Sequence, residues 1–222
     1  MEQEQIKSDK SREGLTGPKL AQLWQLWKPE FNYAIVKVSK FSLIDIAKIN
    51  EELRTNIKAV ILDVDECIAP HHGEILQENI DAIIKMVKQG IQVCIFSNMK
   101  ASERYQPLID AVLAETNYEI KLITSPYAKP DHRGFGDCKE KMKLKEGEEI
   151  AMIGDNPMTD GGALQAGMHF IKVEPIQTEE GFFQTLKRSP QTITRRFYTG
   201  VSNLDDRFLG RKVLKDDFFL NS

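Results

Sequence analysis

A short apolar run that ends in two aspartates constrains this chain more than any other stretch. Residues 58–62 are apolar after the first, which suits a buried parallel strand and is too short for a typical helix. Asp63 and Asp65 follow directly, and residues two apart on a strand share a face. Ligands of parallel α/β sheets bind beyond the carboxyl ends of the strands, so both acids would stand at the mouth of a site. Because close carboxylates repel unless they share a proton or a cation, the pair suits a divalent metal.

The middle of the chain alternates strand-like apolar runs with amphipathic helical segments. Further strands are predicted at residues 91–96, 120–124, 149–153 and 169–173. Helices are predicted at residues 41–54, 74–90, 102–113, 132–142 and 159–166. Strands that alternate with helices imply right-handed crossovers. We therefore expect an α/β fold: a doubly wound, parallel, five-stranded Rossmann-like sheet with helices on both faces.

Length and composition allow one sizeable core. The chain has 222 residues, 41% hydrophobic and 28% charged, which is ordinary for a globular protein. It has no apolar run of membrane-spanning length, and its first ten residues are too polar for a secretory signal, so we expect a cytoplasmic protein. The three cysteines lack CxxC spacing, which favours neither a disulfide framework nor a zinc site. The predicted division is a flexible segment, an amphipathic helical lead-in, a catalytic core and a helical, basic extension, at residues 1–18, 19–57, 58–176 and 177–222.

Polar residues follow the predicted strands at their carboxyl ends. After the first strand's acids come Ser97 and Asn98, then Lys129, then Asp155 and Asp160. Because carboxyl ends of parallel strands meet at one edge of a sheet, we expect these groups to converge. Acids, a hydroxyl and a cation are what phosphoryl transfer through an aspartyl phosphate needs. Each residue alone would fit a turn or a helix cap, but their order favours the catalytic interpretation.

In order and spacing these residues resemble the four motifs of the haloacid dehalogenase superfamily of phosphatases. The matching stretches are Asp63-Val64-Asp65-Glu66-Cys67, Ser97, Lys129 and Gly154-Asp155-Asn156-Pro157-Met158-Thr159-Asp160. From Trp27 to Ile176, about two thirds of the chain, the sequence is similar to the class IIIA, YqeG-type group related to phosphatidylglycerophosphatases. Cys67 stands where Thr or Val is usual, which removes no catalytic group.

The resemblance implies a division of labour between the two acids of the first motif. Asp63 would be the nucleophile that carries the phosphoryl group. Asp65 would protonate the leaving oxygen and then activate water. Mg²⁺ would be held by Asp63, the backbone carbonyl of Asp65 and Asp155, a set of hard oxygen ligands.

The resemblance also implies how the substrate is held. Ser97, Asn98 and Lys129 would bind the phosphate group, whose oxygens carry the charge of the transition state. Asp160 would lie behind them and orient Lys129 or a metal-bound water.

Two related kinds of protein are excluded by the order and number of the acids. A two-component receiver domain carries its acidic pair two strands before the phosphorylated aspartate, whereas Asp63 and Asp65 come from one strand. A haloacid dehalogenase proper lacks the second acid of the first motif, because its leaving group needs no proton. Asp65 therefore favours phosphate chemistry.

The connections after Asp65 and after Asn98 are too short for a cap domain. A site covered only by a short flap favours a large, exposed or membrane-borne phosphomonoester. The resemblance points to phosphatidylglycerophosphate, although closure by a second subunit would weaken that argument. Two alternatives stay open: a phosphatase of a soluble sugar phosphate or nucleotide, and a noncatalytic adaptor that binds a membrane or a partner.

The flanks of the core are cationic and contain aromatic residues. Trp24 and Trp27 belong to an amphipathic stripe that suits either peripheral membrane contact or packing on the protein's own core. Acids dilute the basic, aromatic tail, so we expect no nucleic-acid binding. The sequence leaves the oligomeric state open.

Overall fold

A parallel sheet forms the centre of the molecule in a computed structural model of the chain. The structure describes residues 24–25, 27–71, 73–98, 102–176 and 197–221. The strands found there are β1 Val36–Val38, β2 Ile57–Leu62, β3 Gln92–Ile95, β4 Lys121–Leu122, β5 Glu149–Gly154 and β6 His169–Val173. They pair in parallel in the order β1-β6-β5-β2-β3-β4. The strand order therefore reverses between β2 and β5, where ligands of open α/β sheets bind.

Helices connect these strands and extend beyond them. They are α1 Ile46–Leu53, α2 Gln77–Lys88, α3 Ser102–Thr116, α4 His132–Met142, α5 Gly162–Gln165, α6 at residues 197–208 and α7 Asp216–Leu220. Short 3-10 helices occur at Pro29–Phe31 and Phe41–Leu43. The predicted flexible segment and the first part of the predicted extension, residues 177–196, lie outside the described residues.

Alternate side chains of β2, in the middle of the sheet, pack in two different hydrophobic cores. Val60 and Leu62 pack in the core that contains residues of α1, α2 and α3. Ala59 and Ile61 pack on the opposite face, in the core that contains residues of α4 and α5. Because neighbouring side chains of a strand point to opposite faces, the sheet is covered by helices on both sides. The predicted doubly wound α/β fold is thus confirmed.

The predicted number of strands was wrong, because β1 was not recognised. It has three residues, Val-Lys-Val, which is too short for a clear alternation, and its charged Lys37 interrupts the apolar pattern. Val36 pairs with Ile171 of β6 and also forms a bridge with Leu214. Lys37 is held by Asp206 of α6. Residues from the predicted lead-in and extension therefore complete the edge of the sheet.

Short connections leave the carboxyl edge of the sheet accessible. Between β2 and β3 the described chain contains a flap, residues 69–71 and 73, followed by α2. Between β3 and β4 it contains α3. No cap domain is inserted at either place in the described ranges, as predicted. No helix in those ranges is both long enough and apolar enough to cross a bilayer.

Candidate active site

The site begins where β2 and β5 end side by side. Leu62 pairs with Ile153, and the amide of Asp63 donates a hydrogen bond to the Ile153 carbonyl at 2.9 Å. Asp155 follows directly after β5. The two acids therefore leave neighbouring strand ends at the point where the strand order reverses.

The ammonium group of Lys129 joins two carboxylates at this edge. Its Nζ lies 2.8 Å from Oδ1 of Asp63 and 2.8 Å from Oδ1 of Asp160. The side chain of Asp160 is fully buried and that of Lys129 is 2% exposed, whereas Asp63 keeps 13% exposure. A ligand from solvent can therefore reach Asp63 but not Asp160.

Burial and charge act in opposite directions on the two ionised partners. Burial raises the pKa of Asp63, Lys129 lowers it and Asp160 raises it again, with a net pKa of about 6. Burial lowers the pKa of Lys129, but the charges and hydrogen bonds of Asp160 and Asp63 outweigh it, so the net pKa is raised. At neutral pH Asp63 is therefore mainly a carboxylate and Lys129 an ammonium.

Three carboxylates at this edge are close enough to surround one cation. One oxygen each of Asp63, Asp155 and Asp160 lies within 4.8 Å of the other two. Three negative groups and the one positive charge of Lys129 leave a formal charge of −2. Hard oxygen donors with excess negative charge suit Mg²⁺, so the residues fit the predicted ion.

The oxygens of Asp160 are already used by donors of the protein. Oδ1 accepts from Lys129, and Oδ2 accepts from the amide of Asn156 at 3.1 Å. Asp63 and Asp155 are therefore better placed than Asp160 to bind an ion directly. Asp160 contacts Lys129, and its predicted role of orienting Lys129 or a metal-bound water stays a prediction.

The loop that carries Lys129 is fixed through its backbone. Asn98 accepts from the amide of Lys129 at 2.8 Å and donates to its carbonyl at 3.1 Å. The following Lys129-Pro130 peptide is cis. The Pro130 carbonyl packs so closely on Gly162 that a Cβ on this glycine would lie 2.0 Å from the carbonyl oxygen. Asn98 thus positions Lys129, and its predicted contact with substrate stays a prediction.

The side chain of Asp65 points to α3 and the flap. Its Oδ1 lies 2.6 Å from Nη1 of Arg104 and 3.9 Å from Nδ1 of His71. Asp65 is not part of the carboxylate cluster formed by Asp63, Asp155 and Asp160. The predicted metal contact of Asp65 uses its backbone carbonyl and does not depend on this side-chain direction.

Ser97 lies beside Tyr105, a fully buried residue of α3. Burial raises the pKa of Tyr105, and the nearby Ser97 opposes that rise. The predicted contact between Ser97 and a phosphate is not tested by this arrangement.

The structure brings together four of the predicted residues and adds one that the sequence did not indicate. Asp63, Lys129, Asp155 and Asp160 form the centre of the site. Arg104 was missed because its contact with Asp65 joins residues 39 positions apart. Its place seven residues after Ser97 carries no recognisable spacing.

Comparisons with known proteins find similarity to phosphatases. Residues 18–169 match the family described as mitochondrial PGP phosphatase, and this range contains every predicted site residue. A relative from Bacillus subtilis (strain 168), named "Probable phosphatase YqeG", is 27% identical over 143 residues, which are 60% of this chain and 73% of the relative. One solved structure aligns with a TM-score of 0.47 and 14% identity over 71% of this chain and 87% of its own, a likeness too low to carry an argument.

Proposed function

The chain belongs to the mitochondrial PGP phosphatase family and is a phosphatase of the haloacid dehalogenase type, and we propose that it uses Mg²⁺ and an aspartyl-phosphate intermediate to hydrolyse a phospholipid head group such as phosphatidylglycerophosphate. The observation that supports this most directly is the position of Lys129 Nζ, 2.8 Å from both Asp63 and Asp160. The Lys129 ammonium thus lies as a fixed positive charge beside the accessible carboxylate of Asp63.

Asp63 is the nucleophile of the first step. Its carboxylate attacks phosphorus, an O–P bond forms as the ester O–P bond breaks, and Asp65 gives a proton to the leaving oxygen. Lys129 stabilises the negative charge on the transferring oxygens, while Asp160 keeps the ammonium in place.

Asp65 has the opposite role in the second step. Its carboxylate takes a proton from water, the water oxygen attacks phosphorus, and the bond to Asp63 breaks, which releases inorganic phosphate. Asp63, Asp155 and the backbone carbonyl of Asp65 would hold Mg²⁺, which would neutralise charge on the phosphoryl oxygens. Ser97 contributes its hydroxyl to the same oxygens.

A membrane-borne substrate is supported by an exposed apolar surface, here called the aromatic surface. It comprises Trp24, Trp27, Phe197, Leu204 and Phe208, each at least 49% exposed. The last three recur at helical spacing on one side of α6, and the rings of Trp27 and Phe197 are 5.5 Å apart. Apolar helix faces with interfacial tryptophan are typical of proteins that lie on a bilayer.

Polar residues on the other sides of α6 attach the helix to the core. Asp206 points inward to Lys37, and Asp205 accepts from Asn32. Tyr198, next to Phe197, packs on Met158 in the loop between Asp155 and Asp160. The aromatic surface therefore adjoins, through Phe197 and Tyr198, the loop that carries Asp155 and Asp160.

The test is phosphate release from phosphatidylglycerophosphate in mixed micelles and from p-nitrophenyl phosphate. We expect Asp63→Asn to abolish both activities, chelation to abolish them in the wild type, and Mg²⁺ to restore them. Asp110→Asn, which alters an exposed acid of α3 that accepts from Gln106, is the matched control and should retain full activity.

Two results would contradict different parts of the proposal. Equal rates for wild type and Asp63→Asn would exclude the aspartyl-phosphate mechanism. Full activity on soluble sugar phosphates or nucleotides, with none on phosphatidylglycerophosphate, would leave the mechanism intact and exclude the lipid substrate.

A further inference from the structure

Arg104 connects the acid Asp65 to the flap. Its Nη1 donates to Oδ1 of Asp65 at 2.6 Å. Its Nε donates to the Gly73 carbonyl at 2.8 Å, and its Nη2 donates to the Pro70 carbonyl at 2.9 Å. All three guanidinium nitrogens thus donate hydrogen bonds to residues in the segment after β2, although Arg104 itself belongs to α3.

The backbone around Asp65 is fixed by other contacts. The amides of Cys67, Ile68 and Ala69 approach the Val64 carbonyl at 3.3, 3.1 and 3.1 Å. These hydrogen bonds hold the turn but do not select a rotamer for the side chain of Asp65. His71, at 3.9 Å from the same oxygen, is beyond hydrogen-bond distance. The arginine contact, at 2.6 Å, is therefore a close charged contact that fixes the direction of the carboxyl group.

We propose that Arg104 is a positioning residue, which holds the Asp65 carboxyl group in place for proton transfer to the leaving oxygen and holds the flap beside it. This inference rests on the proposed function, in which Asp65 is the proton donor. Arginine suits the task because its planar guanidinium presents several donors in fixed directions. A lysine has a single charged nitrogen and cannot reproduce the contacts with Asp65, Pro70 and Gly73 together.

The basicity of the leaving group separates positioning from simple structural support. An alkoxide leaving from an alkyl phosphate needs a proton from Asp65, whereas 2,4-dinitrophenolate leaves without one. A displaced Asp65 would therefore impair hydrolysis of alkyl esters selectively. Damage to the fold or to phosphate binding would lower both activities by the same factor.

The experiment compares kcat/KM for short-chain phosphatidylglycerophosphate and 2,4-dinitrophenyl phosphate, both soluble. If the wild type prefers another alkyl phosphomonoester, that ester replaces the first. We expect Arg104→Ala and Arg104→Lys to lose about 100-fold on the alkyl ester and under about threefold on the aryl ester, as general acid catalysis contributes about 10²–10⁴-fold. Asp65→Asn should show the same selectivity, and adding Arg104→Ala to it should cost little more.

Arg207→Ala, which alters an exposed arginine of α6, is the control and should match the wild type on both soluble esters. Equal losses on both esters in the Arg104 variants, or losses that add fully to those of Asp65→Asn, would overturn the inference and leave the proposed function standing. Turnover by the wild type that persists in Asp63→Asn would overturn both.

Discussion

Asp160 packs against the backbone of Gly154 so closely that a Cβ on that glycine would lie 2.2 Å from its Oδ2. No real Cβ comes that near to an oxygen, so the last residue of β5 must lack a side chain for Asp160 to occupy its position. The same carboxylate holds Lys129, which in turn contacts Asp63. The glycine therefore determines the geometry of a charge cluster that it does not itself join.

Gly154→Ala should displace Asp160 and release Lys129. We expect the free energy of unfolding to fall by about 1–3 kcal/mol through overpacking, and phosphatase activity to fall to a few per cent or less because Lys129 loses one of its two carboxylate partners. Urea unfolding and phosphate release measure the two effects. Gly136→Ala, at a helical position in α4 with open space around its Cβ, should instead stabilise the protein by about 0.5–1 kcal/mol. Unchanged activity in Gly154→Ala would contradict the assigned role of Asp160.

Lys129→Met should destabilise the metal-free protein more than an ordinary ion-pair variant does. It leaves the buried Asp160 and the largely buried Asp63 without their shared cation, and such a loss costs about 3–5 kcal/mol. Added Mg²⁺ should restore part of this stability, because a divalent ion replaces the missing charge, but not the activity. Thermal melts with and without Mg²⁺ provide the measurement.

Lys172→Met is the comparison for Lys129→Met, since its buried ammonium pairs with the more exposed Glu174. We expect it to cost about 1 kcal/mol or less and to gain nothing from Mg²⁺. If Lys129→Met were as stable as the wild type without metal, the cluster would not depend on this lysine.

Asp45 should make stability depend on pH in the acidic range. Burial raises the pKa of Asp45. The Lys85 ammonium and the amides at the start of α1 lower it by a larger amount, so the net pKa is below the usual value. A carboxyl group with a lower pKa in the folded state stabilises the protein above its unfolded pKa of about 4, and this contribution disappears as the pH falls through the folded pKa.

The variant Asp45→Asn keeps a helix-capping side chain but loses the charge, which isolates this effect. We expect urea unfolding at pH 7 to show a deficit of up to about 1 kcal/mol, since Lys85 is well exposed. The deficit should shrink as the pH falls from about 4 through the lowered folded-state pKa of Asp45, below which both proteins carry a neutral side chain. A deficit that does not change across this acidic range would assign the effect to packing.

The aromatic surface should affect activity only when the substrate lies in a bilayer. Phe208→Ser removes a side chain that is 82% exposed, so the fold should be unaffected. Activity on phosphatidylglycerophosphate in vesicles should fall on the order of tenfold, because burial of an aromatic side chain contributes about 1.5–3 kcal/mol. Activity on p-nitrophenyl phosphate should not change.

Leu113→Ser is the matched control, because Leu113 is an exposed apolar residue of α3, outside the aromatic surface. It should behave like the wild type with both substrates. Equal effects of Phe208→Ser and Leu113→Ser in a vesicle-sedimentation assay would show that α6 is not the membrane-facing element.

The sequence predicted best those elements whose signal is local. The strand at His169–Val173 and the helix at His132–Met142 begin and end where predicted, because a buried apolar run and a helical repeat are visible within each segment. β1 was missed because three residues with a central lysine carry no such signal, and its place in the sheet depends on β6 and Leu214. Its pairing partners lie more than a hundred residues away along the chain.

The order of acids, hydroxyl and lysine at strand ends was sufficient to predict a shared edge, since parallel strands with right-handed crossovers bring their carboxyl ends together. The direction of each side chain at that edge was decided only by the tertiary structure. Asp160 joins Asp63 through Lys129, and Asp65 turns to Arg104, because these choices depend on contacts between residues 31 and 39 positions apart. Backbone topology follows from patterns within segments, whereas charge pairing follows from which segments pack together.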